Sequence, residues 1–171
     1  MFQIRLTDII LNKWRCDDEI EKYYENLAKK IENAEGKGEY KYIFDNLQRL
    51  CEIFAVKANL GNKIRNAYVE INIEELKRLA GLCDTVIERI EAFYDTFKKQ
   101  WFIDHKPFGF DIQEIRIGGM MLRIKSCKER LLDFIDGKID NIPELEEGVV
   151  EAKTRKRWSS VVSPNSISFG C

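Results

Sequence analysis

The sequence has little of what most protein chemistry requires. Among its 171 residues there is one histidine, and its three prolines all lie beyond residue 106. Its 28 Lys and Arg stand against 29 Asp and Glu, a net charge of −1, which excludes a nucleic-acid module driven by bulk positive charge. No run of about 18 apolar residues exists, so no segment reads as a membrane span. Met1 to Trp14 lacks the charged head, apolar stretch and small-residue cleavage site of a signal peptide. Cys16, Cys51, Cys83, Cys127 and Cys171 are widely spaced, with no C-x-x-C among them. That spacing supplies neither a disulfide framework nor a zinc knuckle. Cys51, Cys83 and Cys127 fall on apolar helical stripes and read as small buried hydrophobes; Cys171, at the very end, is expected to be exposed. A cytoplasmic setting follows as the expectation.

What is present is helical pattern. The composition, 44% hydrophobic and 33% charged, is too apolar for a disordered chain. Ile20, Tyr23, Tyr24, Leu27 and Ile31 step by three and four, a helix face, with Asp17 and Asp18 as cap candidates. Gly36 and Gly38 are free to turn after it. A second helix is expected from about Tyr40 to Val69, its stripe running Ile43, Leu47, Leu50, Cys51, Phe54, Ala55 and Ala58, then Ile64, Ala67 and Tyr68. Gly61 is the expected point of a bend. Asn72 is a cap candidate for a third helix carrying Leu76, Leu79, Cys83, Val86, Ile90, Phe93, Phe97 and Trp101. His105-Lys106-Pro107 ends it, because the residue before proline avoids helical geometry. A fourth helix follows Phe110 through Ile112, Ile115, Leu122, Ile124, Leu131 and Phe134, and Gly137 closes it.

The fold expected is all-α: an antiparallel bundle of about four long helices with an irregular C-terminal tail. Its parts are a lead-in over 1–16, the bundle over 17–137, and a short acidic turn (Glu144 to Glu147) with an irregular tail packed on the bundle over 138–171. The basic cluster Lys153 to Arg157, followed by Trp158, reads as a solvated strip answering the preceding acids rather than as a nucleic-acid site.

Catalytic constellations are absent. One histidine, His105, cannot furnish the paired Glu-x-x-His motifs of a di-metal bundle, and no phosphate-binding glycine motif occurs. Asp17-Asp18-Glu19 and Glu144 to Glu147 sit at helix starts, where the helix dipole favours carboxylates for structural reasons. No catalytic, cofactor-binding or metal-ligating residue is assigned, and no cofactor is expected. The informative stretch runs from Trp101 to Gly119. Gly109 stands between Phe108 and Phe110, where glycine lets the backbone turn. Gly118-Gly119 lies within the helical pattern at a cost of about 2 kcal/mol in propensity, which suggests a kink or the close approach of another backbone.

The run W-x-x-x-x-K-P-F-G-F-D-I-Q-E-I-R-I-G-G over Trp101 to Gly119, with Arg123 to Leu131 after it, resembles the C-terminal helical domain of bacterial glycoside hydrolase family 20 enzymes. These are β-N-acetylhexosaminidases of the three-domain type. Leu50 to Gly61 and Ile142 to Glu147 are similar too, and the resemblance spans about residues 15 to 170. It implies a bundle that follows a (β/α)8 barrel, in which a substrate-assisted reaction uses an Asp-Glu pair at a strand end. The barrel is missing here: about 250 residues would be needed for it, and Asp18-Glu19 lies at a helix start rather than a strand end. By resemblance, the chain is a non-catalytic domain or truncated product whose partners are the catalytic barrel domain and a second copy in a homodimer, with neither nucleic acid nor membrane. The alternative is a stand-alone helical interaction module. Trp101, Lys106, Phe108, Phe110, Gln113, Glu114 and Arg116 are the candidate partner contacts.

Overall fold

A computed structural model describes residues 18–34 and 38–146 of the chain. All regular structure among them is helical: α1 (Asp18–Glu32), a 3-10 turn (Gly38–Tyr40), α2 (Lys41–Lys57), α3 (Leu60–Val69), α4 (Ile73–Asp104), α5 (Phe110–Ile135) and the single turn α6 (Pro143–Glu146). The fold is all-α, as the periodicity requires. The residues before 18, the Lys153–Arg157 cluster, Trp158 and the tail to Cys171 lie outside the described residues.

The long helices pack side by side in the order α1, α2, α4, α5, with α3 also against α4. Cross-ties give the directions. The Tyr24 ring lies 5.0 Å from that of Phe54, and Ile31 packs with Cys51. Tyr42 donates to Asp104 and Arg89 to the Glu52 carbonyl. Tyr94 donates to Glu114, and Lys128 pairs with Asp84 at 2.6 Å. In each pair one number rises as the other falls, so each neighbour is antiparallel to the last. α4, some 48 Å long at 1.5 Å per residue, is central, and α5 forms an edge.

The second expected helix is broken, and not at Gly61. The break falls at Asn59, which leaves helical geometry (φ −111°, ψ 1°) and starts α3. Asparagine competes with helix through its own hydrogen bonds; buried Asn59 accepts from Asn62 Nδ2 at 3.1 Å. Gly61 costs only propensity and rides inside α3. At the end of α3, Asn72 N donates to Ala67 O and Ile71 N to Tyr68 O. This is a Schellman ending with Ile71, at φ 53°, where glycine is usual. Asn72 then caps α4 as expected, its side chain accepting from Glu75 N at 3.1 Å. Gly137 closes α5 in the same Schellman geometry, with φ 68°.

The main core occupies one end of the molecule. Leu76, Leu79, Ala80, Cys83, Val86 and Ile90 of α4 are buried, packed with Ile53, Leu60, Ile64, Ala67 and Leu131. Ile142 and Leu145, flanking Pro143, close this end; Tyr68 OH accepts from Ile142 N and donates to Glu146. A smaller cluster, Ala28 and Ile31 against Cys51, joins α1 to α2. Tyr23, expected on that face, is instead exposed at its rim, edge-on to Tyr24. Cys51 and Cys83 are buried and Cys127 half-buried, all three as free thiols.

Candidate functional site

Beyond Ile90 no residue of α4 is fully buried. Phe93, Tyr94, Phe97 and Trp101 continue its apolar stripe toward the other end, but stay only half-covered. The chain leaves α4 at His105 in extended geometry (φ −132°, ψ 165°), as the following Lys106-Pro107 dictates. It re-enters a helix at Gly109, whose φ of 90° lies in the left-handed region that glycine reaches without strain.

Three ties fix this corner. Trp101 Nε1 donates to the Lys106 carbonyl at 3.0 Å. Phe110 N donates to Pro107 O at 3.3 Å. Phe110 turns inward and is buried, its ring 5.4 to 6.0 Å from those of Tyr94, Phe97, Trp101 and Phe102. His105 stacks on Trp101 at 4.7 Å, and neighbouring Asp104 accepts from Tyr42, so the two adjacent polar residues engage different elements.

The seven candidate residues divide by this geometry. Phe110 and Trp101 build the corner, the first buried and the second half-buried. Phe108, between Pro107 and Gly109, points into solvent and is 88% exposed. Lys106 is exposed and Gln113 half-buried. Glu114 is tied back to α4, accepting from Tyr94 OH at 2.6 Å; that hydrogen bond holds the phenol proton and pushes the Tyr94 pKa up. Arg116 is exposed, with no ion pair among the described residues.

Sequence reasoning misplaced three residues of α5. Ile112, Ile115 and Leu122 belong to the expected core stripe, yet each is exposed. The inward line is Phe110, Ile117, Ile124 and Leu131, a spacing of seven that was present in the sequence. α5 is apolar on two opposite faces, only one of which α4 covers. Gly119 lies exposed in that uncovered region with Gly118 half-buried beside it, and α5 runs through both without interruption. Among the described residues a Cβ on either would meet nothing within 4 Å, so no described backbone explains the pair. At the same end of the molecule, the 3-10 turn exposes Tyr40, α2 exposes Ile43 and Leu47, and the end of α4 exposes Phe102 and Ile103.

Glu146 accepts from Tyr68 and Asn141, and Glu144 lies 3.8 Å from Arg130. Among the described residues no group of three or more His, Cys, Asp or Glu side chains could hold a metal ion, and no helix is long and apolar enough to cross a membrane. What the corner offers chemically is apolar and aromatic surface held at fixed geometry. Residues 9–163 match the family described as the Glycoside Hydrolase 20C C-terminal domain. No curated protein matches the chain.

Proposed function

The chain belongs to the Glycoside Hydrolase 20C C-terminal domain family, and from that premise we propose that it is a non-catalytic helical domain that docks on a family 20 catalytic barrel. The assembled enzyme removes terminal N-acetylhexosamine, the barrel supplying the reacting groups and this domain supplying packing surface and contacts between two copies. The observation that carries this reading is the α4–α5 corner. An aromatic cluster is left half-covered, and Phe108 is held out in solvent by Pro107, Gly109 and the Trp101–Lys106 hydrogen bond. A large, rigidly presented aromatic is the residue type that anchors interfaces, and solvent exposure of so much apolar surface is costly without a partner. The reduced thiols of Cys51, Cys83 and Cys127 suit a cytoplasmic setting.

Two measurements test the reading. The chain alone should release no nitrophenol from a nitrophenyl N-acetylglucosaminide above a heat-treated control, and mixed with a separately expressed family 20 catalytic domain it should co-elute as a complex. Turnover by the chain alone, or separate elution at tens of micromolar, contradicts it.

A further inference from the structure

The outward face of α5 carries an apolar line that nothing among the described residues covers. Ile112, Ile115 (60% exposed) and Leu122 (66% exposed) recur at helical spacing, continuing from Phe108 in the loop before them. Gly119 falls on the same line, midway between Ile115 and Leu122. Along one margin of the line stand Arg116 and Arg123, seven residues apart. Both are exposed, and neither has an ion-pair or hydrogen-bond partner among the described residues.

We propose that this face seats a surface helix of the catalytic domain, crossing α5 at Gly118-Gly119, with apolar side chains against Ile115 and Leu122 and carboxylates opposite Arg116 and Arg123. The inference rests on the docking reading above and specifies where and with what it occurs. Two glycines inside a 26-residue helix weaken it, and no contact among the described residues uses the room they leave. The missing side chain at Gly119, in the middle of an apolar ridge and flanked by Gly118, leaves a notch into which another helix can settle, its backbone closer than the usual 8–10 Å axis separation. A (β/α)8 barrel presents an outer ring of helices, so the partner surface is of the required kind. The unpaired arginines set the charge of the incoming helix, since guanidinium groups match carboxylates in bidentate geometry.

Charge also disfavours a second copy on this face. In a two-fold antiparallel pair crossing at Gly119, the same margin of each helix meets itself. Arg123 of one copy would then lie beside Arg116 of the other, and like charges placed together oppose association.

The test is a calorimetric titration of the full 171-residue chain with a separately expressed family 20 catalytic domain. It compares the natural chain with Gly119→Leu and with the double variant Arg116→Glu/Arg123→Glu. Each change should weaken binding by about tenfold or more, equivalent to about 1.4 kcal/mol. Thermal unfolding of the isolated chain should be unchanged for the arginine variant and shifted upward for Gly119→Leu, because leucine is the better helix former. Loss of binding without loss of stability distinguishes a docking face from a damaged fold. Natural affinity retained by both variants overturns this assignment and leaves the docking reading intact. Failure of the natural chain to bind overturns both. A homodimer that Gly119→Leu dissolves gives the face to a second copy and overturns the proposal.

Discussion

Phe108 illustrates how neighbours can hold a residue where its own chemistry would not put it. Burying a phenylalanine is favourable by about 1.5–3 kcal/mol, yet Pro107 and the left-handed Gly109 direct this one outward while Phe110 takes the inward position. Because so little of its surface is covered in the isolated chain, Phe108→Ala should change stability by less than about 0.5 kcal/mol. The same substitution should cut affinity for a family 20 catalytic domain at least about tenfold. Urea unfolding and a binding titration on the same sample check both halves. Cys83 is the opposite case. Burial pushes its thiol up from the ordinary 9.0 to about 12, so the folded chain keeps a proton that the unfolded chain loses earlier. The stability linked to that proton is fully present below pH 9.0 and is lost as the pH climbs toward 12. A thiol reagent at pH 8 should leave Cys83 unmodified in the native chain and label it rapidly in urea. Labelling at equal rates in both conditions would contradict its burial.

At the scale of elements, helix ends carry the legible information. Asn72 as a cap, Pro107 as an exit, Gly109 as a turn and Gly137 as a stop were each readable, since each is a short-range requirement of backbone geometry. Two opposing substitutions test that logic. Ile71→Gly should stabilise the chain by about 1 kcal/mol, because a β-branched residue occupies the left-handed position of a Schellman ending. Gly109→Ala should destabilise it by about 1–2 kcal/mol. Steric room is not the obstacle there, since a Cβ on Gly109 would sit 3.9 Å from Trp101; the positive φ is. Denaturant midpoints of the two variants should move in opposite directions. The outward turn of Ile112, Ile115 and Leu122 was not legible, because periodicity reports that a face is apolar and not which of two apolar faces a neighbour covers. The break at Asn59 escaped for a related reason. Gly61 is the stronger helix breaker by propensity, but the hydrogen bonds of a buried asparagine decided the site.

At the scale of the whole molecule, the described residues are polarised. The buried residues of α4 lie within its first 18 positions, from Leu76 to Ile90, and the Ile142–Leu145 turn seals that end. The opposite end keeps its aromatic cluster half-covered and exposes apolar residues from α2, α4 and α5. The all-α class was readable from the periodicity, and the antiparallel run of helices from the short connections between them. The order in which the helices neighbour one another, which leaves α5 at an edge, depends on long-range contacts that no local pattern encodes. Edge position and half-built core together define the surface assigned to the catalytic domain. Hydrogen–deuterium exchange of the 171-residue chain, with and without that domain, examines the assignment most directly. On complex formation, amides between Trp101 and Leu122 should gain protection while those of α1 stay unchanged; protection confined to α1 and α2, or none at the α4–α5 corner in a formed complex, would contradict it.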